Sequence, residues 1–148
     1  MTTSDKNTSI FYRRFPPVIQ ALAVSGIAFL VMVITKLFSD SSDAWENIWI
    51  VVIAFLLFFG ITNSIFTLSS ENQSQYFNRS LISYAGLSVL LLLLAYLFSH
   101  VSFFKAGVFK WMFLVVSMSY IILLGIVQAI YRIMRYAQKQ DKNLRNEE

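Results

Sequence analysis

Leu81–Phe98 runs for 18 residues without a charge, and its centre reads Ser-Val-Leu-Leu-Leu-Leu-Leu-Ala from Ser88 to Ala95. The apolar side chains there follow no period that would leave one face wet. In water such a segment would be a large exposed apolar surface, so its natural solvent is lipid. Three further runs share the character: Val18–Phe38, Ile48–Leu68 and Trp111–Tyr131. At 1.5 Å per residue, each of these 21-residue runs covers roughly 31 Å, the thickness of a bilayer's hydrocarbon core. The predicted fold is an all-α membrane protein with four transmembrane helices in one bundle, over residues 18–131. Residues 1–17 form an N-terminal tail and interfacial anchor, and residues 132–148 a basic helical extension.

Composition narrows the chemistry. Charged residues make up 14% of the 148-residue chain, against about 25% in a soluble domain. There is no cysteine, which removes disulfides, thiolate metal sites and thiol redox chemistry. The lone histidine, His100, is too little for a histidine metal cluster. Membrane enzymes and ion-coupled transporters keep ionisable residues inside the bundle, because those groups are costly there and are retained for a task. Between the interfacial ends of these four spans there is none, so no enzyme activity, cofactor or metal is expected. Four-helix drug transporters, which need a membrane-embedded carboxylate, are excluded on the same ground. The net charge of +4 does not point to nucleic acid, since the basic residues cluster at span ends rather than in a free domain.

The boundaries carry most of the remaining information. Arg13 and Arg14 stand among Phe11, Tyr12 and Phe15 just before the first span, with Pro16 and Pro17 suited to a helix start. In the first span Ala21, Ser25, Ala28 and Thr35 form a stripe of small residues for close helix approach, and Lys36 reaches from the far end toward water. Trp45, within the short polar connection Ser39–Asn47, and Trp49 just beyond it read as interface anchors. The third span places Ala85, Ser88, Ala95 and Ser99 toward the bundle and its leucines toward lipid. His100–Lys110 is expected to skim the interface. After Tyr131, Arg132, Arg135, Lys139 and Lys142 recur at helical spacing, so the fourth helix is expected to leave the membrane with a basic face and to fray after Asn143. These four, with Arg13 and Arg14, are the candidates for contact with lipid headgroups.

The second span supplies the candidate site. Gly60, Asn63, Ser64 and Thr67 lie at i, i+3, i+4 and i+7, on one helix face. Small and polar residues gathered this way mark helix–helix contact, with amide and hydroxyl groups bonding across the interface. The other reading is that they line a pore. The corresponding functions are a non-enzymatic interaction protein, an accessory or assembly subunit in a bacterial inner (plasma) membrane, and a small self-assembling pore. The partners implied are lipid and other membrane proteins or further copies of the chain.

An even number of spans puts both termini on one side. That side holds Lys6, Arg13, Arg14, Arg79, Arg132, Arg135, Lys139, Lys142 and Arg145, and the other holds Lys36, Lys105 and Lys110. The asymmetry orients both termini to the cytoplasm. Because the chain lacks cysteine, single cysteines at Ser4, Asp43, Lys105 and Asn146 give a clean test with an impermeant thiol reagent. In intact cells Asp43→Cys and Lys105→Cys are expected to label, and Ser4→Cys and Asn146→Cys only after lysis. Labelling of either terminal position in intact cells overturns the orientation.

Overall fold

The computed structural model describes residues 16–39, 42, 44–68 and 73–147. Four helices cover most of them: α1 (Pro17–Phe38), α2 (Ala44–Leu68), α3 (Gln73–Ser99) and α4 (Val108–Asn146), with a 3₁₀ turn at Phe103–Lys105. Each is long and apolar enough to cross a membrane. Arg13, Arg14 and the rest of the proposed N-terminal anchor before Pro16 lie outside the described residues.

The helices are longer than the apolar runs that announce them. α2 begins at Ala44 rather than Ile48, α3 at Gln73 rather than Leu81, and α4 at Val108 rather than Trp111. Lipid limits the apolar run but not the helix, which continues into polar sequence until a cap or glycine stops it. α1 starts where proline allows it, with Pro16 extended and Pro17 in the first turn. α3 stops through its own last residues: the Ser99 hydroxyl donates to the Ala95 carbonyl (2.6 Å) and accepts from the Val101 N–H (3.2 Å). His100 follows at φ 56°, in the left-handed region more common for glycine. Gly107, at φ 57°, opens α4 from a backbone conformation that a side chain would strain. At the other end α4 stays helical through Asn146, so of the fraying expected over Asn143–Glu148 none is found as far as Asn146, and Glu148 lies outside the described residues.

Close contacts join α2 to α1, α3 and α4, and α1 to α3. α2 is therefore the centre, with α1 and α3 packed on it and on each other, and α4 held against α2 with side-chain contacts to α3. The pairings fix direction. Gln20 meets Tyr76 and Lys36 meets Phe98, so α1 and α3 run parallel. Trp45 meets Phe109 and Asn63 meets Tyr120, so α2 and α4 run parallel too. α1 thus begins at the end of the bundle from which α4 leaves. The core runs from Ala28 and Met32 of α1 through Val52, Leu56 and Phe59 of α2 to Leu87, Leu91 and Ala95 of α3 and Leu124 of α4.

Two expectations are corrected by this packing. In α3 the buried line is Ser80, Ser83, Tyr84, Leu87, Ser88, Leu91 and Ala95, while Ala85 is exposed. Leucines thus occupy the inside as well as the outside. In lipid a leucine gains nothing by moving inward, so shape rather than apolarity assigns the faces. Trp49 is not an interface anchor. It is fully buried, with its ring 6.3 Å from that of Phe103, which the α3–α4 connection folds inward. Phe104 stays out at 82% exposure, so only part of that connection is available to skim a surface.

The outer surface is apolar. Leu22, Ile27, Leu30 and Ile34 of α1 and Val115, Ile122 and Ile126 of α4 are all at least half exposed. A surface like this is an aggregation hazard in water and an ordinary one in lipid, which supports a multi-pass membrane protein. Leu91 and Leu93 separate packing from hydrophobicity, since the first is fully buried and the second 59% exposed. Leu91→Ala is expected to cost about 2–4 kcal/mol of stability in detergent unfolding, through the cavity it leaves. Leu93→Ala is expected to cost under about 0.5 kcal/mol, as a surface substitution does. Equal losses would contradict the α3 packing described here.

Candidate functional site

Gly60, Asn63, Ser64 and Thr67 are all buried on the face of α2 that looks toward α3 and α4. Asn63 has no exposed surface. Its Nδ2 donates to the Tyr120 hydroxyl of α4 at 2.8 Å, and its Oδ1 lies 3.4 Å from the Ser80 hydroxyl of α3. The Tyr120 hydroxyl in turn approaches the Ser80 carbonyl at 3.4 Å. One amide therefore meets two other helices, with a short bond to α4 and one longer contact to α3, and the Tyr120 hydroxyl adds a second long contact to α3.

The other three residues act differently. The Ser64 hydroxyl donates to the Gly60 carbonyl and that of Thr67 to the Asn63 carbonyl, both at 2.7 Å and both one turn back on α2. Such bonds satisfy a hydroxyl inside its own helix. The expectation that hydroxyls as well as the amide bond across the interface is thus met by Asn63, while Ser64 serves by being small. Gly60 serves the same way: a Cβ there would stand 3.1 Å from Cδ2 of Tyr120. The Tyr120 ring lies over the glycine because nothing projects from it.

Tyr120 and its neighbour Tyr84 are the members of the site that the sequence reading missed. Their rings stack at 4.2 Å between centroids and 22° between planes, and the Tyr84 hydroxyl pairs with that of Ser117 at 3.0 Å. The stack joins α3 to α4. A signal was present, since a tyrosine in the middle of an apolar run carries a hydroxyl that lipid cannot satisfy. Ser80 sits just outside the third apolar run and gave no such signal.

Two boundary features complete the inventory. The Lys36 ammonium donates to the Phe98 carbonyl at 3.2 Å and lies 5.5 Å from the Phe98 ring centre. It thereby satisfies a carbonyl at the C-terminus of α3, where a cation is favoured by the helix dipole. Reaching water is not its only task. Arg132, Arg135, Lys139 and Lys142 are exposed along the unbroken extension of α4. The shallow concavity among Arg132, Arg135, Tyr136, Gln138, Lys139 and Lys142 is walled by this one helix, so it is a surface rather than a pocket.

Among the described residues, no three His, Asp or Glu side chains gather in a way that could hold a metal ion. Comparison with protein-family models, curated proteins and solved structures finds no match for this chain.

The Asn63–Tyr120 bond can be weighed by a double-mutant cycle with Asn63→Leu and Tyr120→Phe. Interhelical side-chain bonds in membranes average about 0.6 kcal/mol and reach about 1.7, and a fully buried 2.8 Å bond belongs in the upper part of that range. A coupling energy near 1 kcal/mol in detergent unfolding is the expected result. A coupling of zero would show that the amide and the phenol act independently.

Proposed function

We propose that this protein is a non-enzymatic interaction protein of the membrane, an accessory or assembly subunit of a larger complex in a bacterial inner membrane, with both termini in the cytoplasm. The observation that carries the reading is the commitment of the α2 polar face. A pore-lining face needs polar groups that water can reach, whereas Asn63 is fully buried and bonded to Tyr120. The small residues around it bring helices together, with the Tyr120 ring over Gly60.

The remaining surface supports the same reading. α1 and α4 flank the bundle and leave most of their apolar side chains outside. Such faces take lipid or the spans of another protein. The orientation follows the nine basic residues on the side of the termini against three on the other.

The test compares two substitutions at one buried position. Ser64 is 3% exposed and its hydroxyl turns back on α2. Ser64→Ala is expected to leave assembly unchanged. Ser64→Leu is expected to lose recovery of the protein's complex in mild detergent, because the seam has no room for a branched chain. Neither variant nor the wild type is expected to pass ions across liposomes. Intact assembly with altered ion flux in Ser64→Leu would overturn the proposal in favour of a pore.

A further inference from the structure

α4 outlasts its neighbours. From the Asn63–Tyr120–Ser80 junction, α2 ends after five more residues at Leu68, and α3 begins seven residues before Ser80 at Gln73. From the same junction α4 runs on to Asn146. About 25–30 Å of α4 therefore extends beyond the ends of α2 and α3, with no other described residue beside it. No glycine or proline follows Gly125 before Asn146, so nothing in the sequence bends the extension down onto the membrane.

The face this extension turns over the bundle follows from helical geometry. Eighteen residues make five full turns of an α-helix. Lys142 therefore lies directly above Leu124, and Arg145 directly above Val127, both of which face the bundle interior. By the same count Gln138 stands above Tyr120 and Met134 above Val116. The line that packs against α2 and α3 within the membrane thus continues above them as Met134, Gln138, Lys142 and Arg145, with Asp141 at its edge one turn before Arg145 and no described residue covering it.

Lipid does not account for these two cations. A headgroup layer is about 5–8 Å deep, whereas Lys142 and Arg145 lie roughly 16 and 21 Å beyond Tyr131 along the axis. They also face over protein rather than over lipid. Arg132, at the boundary and on another side of the helix, keeps the headgroup role. Two further occupants are disfavoured by charge. The chain's own first fifteen residues carry Lys6, Arg13 and Arg14 against Asp5. A second parallel copy would present the same cations.

We infer that the Met134–Gln138–Lys142–Arg145 face is a docking surface for an acidic segment of a partner protein, seated above the bundle end against the extension of α4. The inference rests on the interaction-protein reading and names the chemistry of the partner. Met134 gives the segment an apolar contact near the membrane, and Lys142 and Arg145 give it two charge contacts farther out.

The experiment uses the full chain in phosphatidylcholine nanodiscs and a labelled 20-residue helical peptide rich in glutamate, with a lysine-for-glutamate version as control. The acidic peptide is expected to bind and the basic one not to. Lys142→Glu with Arg145→Glu is expected to weaken binding on the order of tenfold or more, and Arg132→Gln less than about twofold. In a parallel preparation, a fluorophore on Leu144→Cys is expected to escape quenching by lipid-borne quenchers in both neutral and anionic nanodiscs. Quenching in anionic lipid would overturn the inference by laying the extension on headgroups. So would no peptide binding, or equal loss with Arg132→Gln, which would mean diffuse attraction. These outcomes leave the Ser64 comparison intact, so the docking surface can fail while the interaction-protein reading stands.

Discussion

Lipid offers no hydrogen bonds, and that constraint governs the interior of this protein. The amide of Asn63 and the hydroxyl of Tyr120 each need a partner, and the seam among α2, α3 and α4 is where they find one another. The bond forms only if two helices come close, and closeness depends on the missing side chain at Gly60. Packing and polarity are therefore not separate contributions here. The glycine admits the ring, the ring positions the phenol, and the phenol satisfies the amide.

The opposite end of the bundle is closed by ring packing instead, which leaves the buried Trp49 Nε1 without a hydrogen-bond partner. Trp49, which a water-facing reading places at the interface, is drawn inside by Phe103. Phe103 also meets Phe113 edge-on at 5.4 Å, so the α3–α4 connection closes the core with aromatic contacts. Lys36 satisfies the end of α3 from a neighbouring helix. The end of α3 is thus handled partly by a group that lies near it in space and not in sequence.

α4 divides the protein's surface into two kinds. Within the bundle it buries a narrow line of four residues, Val116, Tyr120, Leu124 and Val127, and leaves the rest of its face apolar. Beyond the bundle the same unbroken helix turns basic, with Asp141 the one acid between Arg132 and Asn146. One continuous helix therefore carries both Tyr120 of the Asn63 seam and the exposed cations.

Much of this was legible from residue order alone. Four apolar runs of bilayer length, charged only at Lys36 near the end of the first, dictate four helices, because a backbone in hydrocarbon must bond to itself. The spacing of Gly60, Asn63, Ser64 and Thr67 placed them on one face, since a helix brings i, i+3, i+4 and i+7 together whatever surrounds it. The small residues of α1, Ser25 and Ala28, were likewise readable as an inner stripe. Only the tertiary structure could decide which leucines of α3 face inward, that Trp49 is core, and that Asn63 meets Tyr120 across 57 positions of chain. The reason is physical. Periodicity reports what a helix does with its own neighbours, whereas in a membrane the inside and the outside are equally apolar. The choice between them is made by the shapes of the other helices, and sequence spacing carries no record of those.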